Sequence, residues 1–157
     1  MLALAAALQA GSEHPLARAV LAEVASSGVA PPRATGLRAL PGRGVEGRID
    51  GRPHRLGSTR LLAESGLVVP GALAAPLAAH EDRGETVAWL LDAGETPRVL
   101  GLLGFGDAPR PTARAAVARL RALGLRVTLL TGDSRAAAAR VAAALGLDDH
   151  AAEVLPE

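Results

Sequence analysis

The 157-residue chain is 49% apolar and 21% charged and has no cysteine. That is enough apolar material for a buried core, and it excludes wholesale disorder, a disulfide framework, thiolate metal sites and thiol catalysis. Net charge is +1, and the 17 basic residues are all arginines interleaved with acids; with one Trp and one Phe there is no base-stacking platform, so nucleic acid is not an expected partner.

No apolar run reaches the roughly 18 to 20 residues that span a bilayer, so no direct membrane insertion is expected. Met1–Ala10 consists of strong helix formers, without the basic start or cleavage site of a signal peptide, and reads as a helix that Gly11 breaks. Ser12 is placed to cap a second helix with Pro15 in its first turn, and Leu16, Val20 and Val24 form one buried stripe. Gly28 and Pro31–Pro32 end it. Leu37–Leu40 reads as a short strand, and Val45–Ile49 and Arg52–Leu56 flank Asp50–Gly51, a two-residue hairpin signal. Ser58 is placed to cap a helix that stops at Gly66. Pro70–Arg83 reads as a helix kinked at Pro76, and Thr86–Leu91 and Arg98–Leu103 as a second hairpin. This order predicts an antiparallel sheet with helices on one side.

After Gly106 the pattern changes. Pro109–Leu123 reads as a helix, Leu125–Leu130 as a parallel strand buried on both faces, and Ser134–Leu145 as an alanine-rich helix. One strand and two helices make only a piece of an α/β domain. A boundary is expected near Gly104–Asp107.

Three segments carry candidate chemistry. Gly42-Arg-Gly44-Val-Glu-Gly47 matches a dinucleotide-binding fingerprint by letter, but that motif needs a helix after it, and here a hairpin follows. A turn between strands, or a close backbone approach to a ligand at Gly42 and Gly44, are the other readings. His14, after Ser12 and Glu13, is either a polar surface residue or a ring for stacking and hydrogen bonding. Thr131-Gly132-Asp133 ends the second region's strand, where α/β sheets bind ligands; Asp133 or Ser134 could instead simply cap the next helix.

Taken together, SEHPLA (Ser12–Ala17), PGRGVEG (Pro41–Gly47), LGSTRLL (Leu56–Leu62), GDAPRPTA (Gly106–Ala113), LTGDS (Leu130–Ser134) and AEVLPE (Ala152–Glu157) resemble, in order and spacing, the heavy-metal P-type ATPases, the copper-type branch most closely. The resemblance covers essentially the whole chain. It implies an α+β ATP-binding domain over 1–104, an antiparallel sheet with flanking helices, followed over 105–157 by an incomplete α/β phosphorylation domain of haloacid-dehalogenase type. By the same resemblance His14 stacks on or orients adenine. Gln9 stands where the family usually has Glu as an acceptor for the adenine amino group, and Glu13 belongs to the same segment. Gly42 and Gly44 let the backbone lie along the nucleotide, and Gly57 lines the cleft, with Ser58 where the family often has Asn. Thr131, Gly132 and Asp133 neighbour the phosphorylated aspartate, and Asp107 and Arg110 match the Asp-x-x-Arg hinge segment.

The family's Asp-Lys-Thr-Gly-Thr and Gly-Asp-Gly-x-Asn-Asp segments, its membrane helices and its metal-binding cysteines are absent from this sequence. The resemblance therefore implies a nucleotide-binding fragment that does not hydrolyse ATP by itself, lying at the cytoplasmic face of a membrane pump. Mg²⁺ enters only in the complete protein. The implied partners are ATP and the rest of the pump: membrane part, actuator domain and remaining phosphorylation domain. A soluble haloacid-dehalogenase-like phosphatase is the first alternative and a dinucleotide-binding protein the second.

Overall fold

The computed structural model describes residues 1–106, 109–132 and 135–154, with backbone alone at 136. It divides into two compact units: Met1–Leu77 with Val87–Phe105, and Ala78–Thr86 with Gly106–Glu157.

The first unit is built on a five-stranded sheet in the order β1-β2-β3-β4-β5. Its strands are β1 (Ala34–Leu40), β2 (Gly44–Ile49), β3 (Arg52–Gly57), β4 (Thr86–Asp92) and β5 (Arg98–Phe105). Asp50 (φ 51°) and Gly51 (φ 76°) form a two-residue turn with both φ positive, the geometry that matches strand twist. It sets Ile49 opposite Arg52, and the antiparallel register runs from there to Gly44 opposite Gly57. β1 begins at Ala34, earlier than the expected Leu37, and its register with β2 shifts between Thr35 and Arg38.

The expectation of helices on one side of the sheet is corrected. In β4 the consecutive residues Trp89, Leu90 and Leu91 are 0%, 0% and 1% exposed. Side chains alternate along a strand, so both faces must be covered. Leu90, Leu56 and Ile49 pack with Ala5–Leu8 of α1 (Leu2–Leu8) and with Val20 and Val24 of α2 (Pro15–Ser27). Trp89 and Leu91 pack on the other face with Leu61 and Leu62 of α3 (Thr59–Glu64) and with Leu73 and Leu77 of α4 (Gly71–Asp82). Trp89 Nε1 donates to Thr59 Oγ1 at 3.2 Å, which satisfies its polar atom in the core.

Local corrections follow from capping. The residue that caps α2 is His14, not Ser12: His14 Nδ1 accepts from the Leu16 amide at 3.2 Å. Ser12 Oγ instead accepts from the His14 amide at 3.3 Å, one step upstream. Pro15 at the first helical position leaves only the later amides in need of an acceptor. Ser58 is the residue before α3, but its hydroxyl makes no capping bond.

In the second unit, α5 (Ala113–Ala122) and α6 (Arg135–Leu145) accompany a two-stranded parallel sheet of β6 (Thr128–Leu130) and β7 (Asp149–Ala151). α5 starts four residues later than expected, because Pro111 disfavours helical geometry at Arg110. The expected strand over Leu125–Leu130 is cut to three residues and is not buried on both faces: Leu125 is 53% and Leu130 69% exposed. Its partner β7 carries Asp149 and His150 and has no apolar strand pattern, so no sequence signal announces it. Asp148 secures the start of β6: its carboxylate accepts from the Val127 amide at 3.0 Å and pairs with Arg121 at 3.0 Å. Among the described residues of this second unit, the buried apolar ones are Val117, Ala138 and Ala142. No helix among the described residues is long and apolar enough to cross a membrane.

Candidate functional site

Three glycines of the β1–β2 turn and strand have three separate causes. Gly42 has φ 67° with open space around it, so the turn conformation alone requires glycine. Gly44 has φ 147°, and a Cβ there would lie 2.1 Å from the Leu56 carbonyl oxygen. Its register partner Gly57 would bring a Cβ to 2.0 Å from the Arg43 carbonyl oxygen. These two glycines therefore permit the close passage of two backbones, sealed by the Ser58 amide donating to the Arg43 carbonyl at 2.8 Å. Gly47 lies under Leu37 and Leu8, whose methyl carbons would be 2.7 and 3.2 Å from a Cβ. The fold thus accounts for all three letters of the fingerprint, with no helix following them.

Leu8 on Gly47 brings the end of α1 to the sheet, and Gln9 is the C-cap residue of that helix. Glu13 and His14 are exposed in the connection to α2. Capping occupies His14 Nδ1 and fixes the ring, while among the described residues Nε2 makes no hydrogen bond. Gly44 and Gly57 are brought together; among the described residues no hydrogen bond or ion pair joins Gln9, Glu13 or His14 to them. Ser58, beside Gly57, has its hydroxyl oxygen buried without a hydrogen-bond partner among the described residues.

The surroundings of the turn add charges that the motifs did not indicate. The Arg43 guanidinium pairs with Glu64 of α3, and Arg60 meets the same carboxylate at 2.8 Å. These two guanidiniums, Arg60 first, hold the Glu64 carboxyl below its ordinary range. On the strands, Glu46 accepts from Arg38 at 2.7 Å and from Arg55 at 3.3 Å, and its carboxyl is likewise lowered, chiefly by Arg38. The Arg60–Glu64 pair was legible from its helical spacing of four. Glu46 opposite Arg55 follows from the hairpin register. Nothing in the sequence signals the Arg43–Glu64 pair, which spans 21 residues.

In the second unit Thr131 and Gly132 follow the C-terminal end of β6. The Thr131 amide donates to the Ala151 carbonyl at 3.0 Å, and the Val154 amide to the Thr131 carbonyl at 3.1 Å. The loop therefore sits where parallel strands present ligands. Asp107, Asp133, the capping role considered for Ser134 and the last three residues of AEVLPE lie outside the described residues. Among the described residues no group of three or more His, Cys, Asp or Glu could hold a metal ion.

A family model for haloacid dehalogenase-like hydrolases matches residues 1–156. The chain belongs to that family. This haloacid dehalogenase-like chain is 38% identical over 157 residues to the probable copper-exporting P-type ATPase V of Mycobacterium tuberculosis (strain ATCC 25618 / H37Rv), covering 100% of itself and 20% of that protein. It is 38% identical over 156 residues to copper-exporting P-type ATPase B of Archaeoglobus fulgidus, covering 99% of itself and 22% of that relative. Among solved structures, a zinc-transporting PIB-type ATPase in its E2.Pi state superposes with a TM-score of 0.80 at 34% identity, over 99% of this chain and 24% of that one. The chain thus spans about a fifth of the length of the curated relatives it matches, and it resembles a segment of heavy-metal P-type ATPases.

Proposed function

We propose that the chain is the ATP-binding portion of a heavy-metal P-type ATPase of the copper type, acting at the cytoplasmic face of a membrane. On this reading 1–104 form the nucleotide-binding domain, and 105–157 contribute part of the phosphorylation domain, with Asp107 and Arg110 at the hinge. The observation that carries it is the partition of the motif residues. Gln9, Glu13, His14, Gly42, Gly44 and Gly57 all fall in the first unit, whereas Thr131 and Gly132 end a parallel strand in the second. Adenine stacks on the fixed His14 ring, the Gln9 carbonyl accepts from its amino group, and the backbone of the glycine turn lies along the nucleotide. Mg²⁺, the phosphorylated aspartate and the transported ion belong to the complete pump, so this portion binds ATP without turning it over.

Calorimetric titration with ATP tests the reading. His14→Asn keeps a helix-capping side chain and removes the ring. ATP affinity is expected to fall several-fold with the melting temperature nearly unchanged, whereas His14→Ala loses affinity and about 1 kcal/mol of stability together. Gln9→Glu is expected to tighten binding modestly. Amide shifts on adding ATP are expected at Ser12–Ala17, Arg43–Val45 and Gly57; shifts confined to Thr131 and Gly132 would refute the assignment.

A further inference from the structure

The chain has no lysine, so its permanently charged cationic side chains are all arginines. One arginine stands inside the glycine turn itself. Arg43 lies between Gly42 and Gly44, and its carbonyl is bound by the Ser58 amide at 2.8 Å, which pins this backbone against the Gly57–Ser58 corner. Its side chain is drawn onto Glu64, where Arg60 arrives from the same helix. Two guanidiniums thus share one carboxylate at the border of the turn, leaving one positive charge in excess. All three side chains are partly open to solvent, with Arg60 the most exposed.

We propose that Arg43 and Arg60, held ready by Glu64, form the phosphate-recognition element of the nucleotide site and make it select nucleotides over nucleosides. This rests on the nucleotide reading above. A guanidinium presents a planar fork of donors that matches two phosphate oxygens at once. An exposed ion pair contributes at most about fivefold to an equilibrium, so a polyphosphate carrying several charges displaces Glu64 readily. Until then Glu64 fixes the two side chains, which limits the ordering that binding must impose.

The test is calorimetric titration of the whole chain with ATP and with adenosine, at low and high salt. The wild type is expected to bind ATP about tenfold more tightly than adenosine, with the gap closing as salt rises. Arg43→Gln is expected to weaken ATP about fivefold and to leave adenosine within about twofold, and Arg43→Lys to fall between. Glu64→Gln removes the competing carboxylate, whose exposed pairing is worth at most about fivefold, and because this gain outweighs the lost pre-ordering it is expected to tighten ATP about threefold. A melting temperature for each variant reports the purely structural contribution of the Arg43–Glu64 tie. Equal wild-type affinity for ATP and adenosine would overturn the proposal and leave the nucleotide reading standing, as would an Arg43→Gln variant that loses both ligands alike. If neither ligand binds the wild type, the nucleotide reading falls, and this proposal with it.

Discussion

The two units use apolar residues in opposite ways. In the first, the central strand β4 is dry on both faces, and Trp89, Leu90 and Leu91 are each touched by helices from one side or the other. In the second, Leu130 of the three-residue strand β6, Leu125 in the connection before it and Leu123, the residue that follows α5, all lie in the open, Leu123 being 76% exposed. Both strands carry a Leu-Leu pair, Leu90–Leu91 in β4 and Leu129–Leu130 in β6. What differs is how many strands and helices surround each run, and burial follows from that number rather than from the residues themselves.

The sharpest way to break this comparison is to remove matching side chains. Trp89→Ala deletes a fully buried ring and its bond to Thr59, and is expected to cost about 3–5 kcal/mol in chemical denaturation. Leu130→Ala removes an exposed side chain and is expected to cost under about 0.5 kcal/mol. Hydrogen exchange gives the same contrast without mutation: amides of Thr128–Leu130 are expected to exchange through low-energy openings, those of Gly44–Ile49 near the global limit. Equal protection in a monomeric sample would show that the second unit is as closed as the first.

A smaller contrast lies in the backbone. Gly44→Ala meets the Leu56 carbonyl at a positive φ, and is expected to lose about 1–3 kcal/mol or more. At Gly132 the nearest atom to a new Cβ is the Val154 carbonyl oxygen at 3.4 Å, so alanine is expected to change stability by less than about 1 kcal/mol. Paired thermal melts of the two variants measure the difference.

The smallest effect is electrostatic. Glu85, in the second unit, accepts hydrogen bonds from Arg83 and contacts His80, and these hold its carboxyl down at about 2, against an ordinary 4.5. A lowered folded-state pKa stabilises above the unfolded value and is lost as the pH falls. Glu85→Gln is therefore expected to flatten the stability curve between pH 4.5 and 2, with little change in its slope above pH 5. An unchanged acid limb would show that the cluster is not formed in solution.

Much of the first unit was legible because its signals are local. Asp50–Gly51 specifies a turn by backbone conformation alone, and Gly28 ends α2 in a left-handed cap. The second unit was less legible because β7 has no apolar alternation to announce it, and because an apolar run does not say whether anything will cover it. In the candidate site, His14 and the glycines were visible as motif letters. The Arg43–Glu64 pair was not, because 21 residues separate its members and only the packing of α3 beside the turn joins them.

The sequence by itself determined the turns, the glycine-marked C-terminal ends of the helices and the hairpin register, since each depends on φ preferences within a few residues. From that register alone Gly44 falls opposite Gly57. Tertiary structure decided the rest. It put helices on both faces of the sheet because β4 had two apolar faces to bury, and it left β6 open because, among the described residues, one strand pairs with it. It also made Gly44 and Gly57 obligatory, since a hairpin register says which residues are opposite but not that their backbones pass too closely for a Cβ.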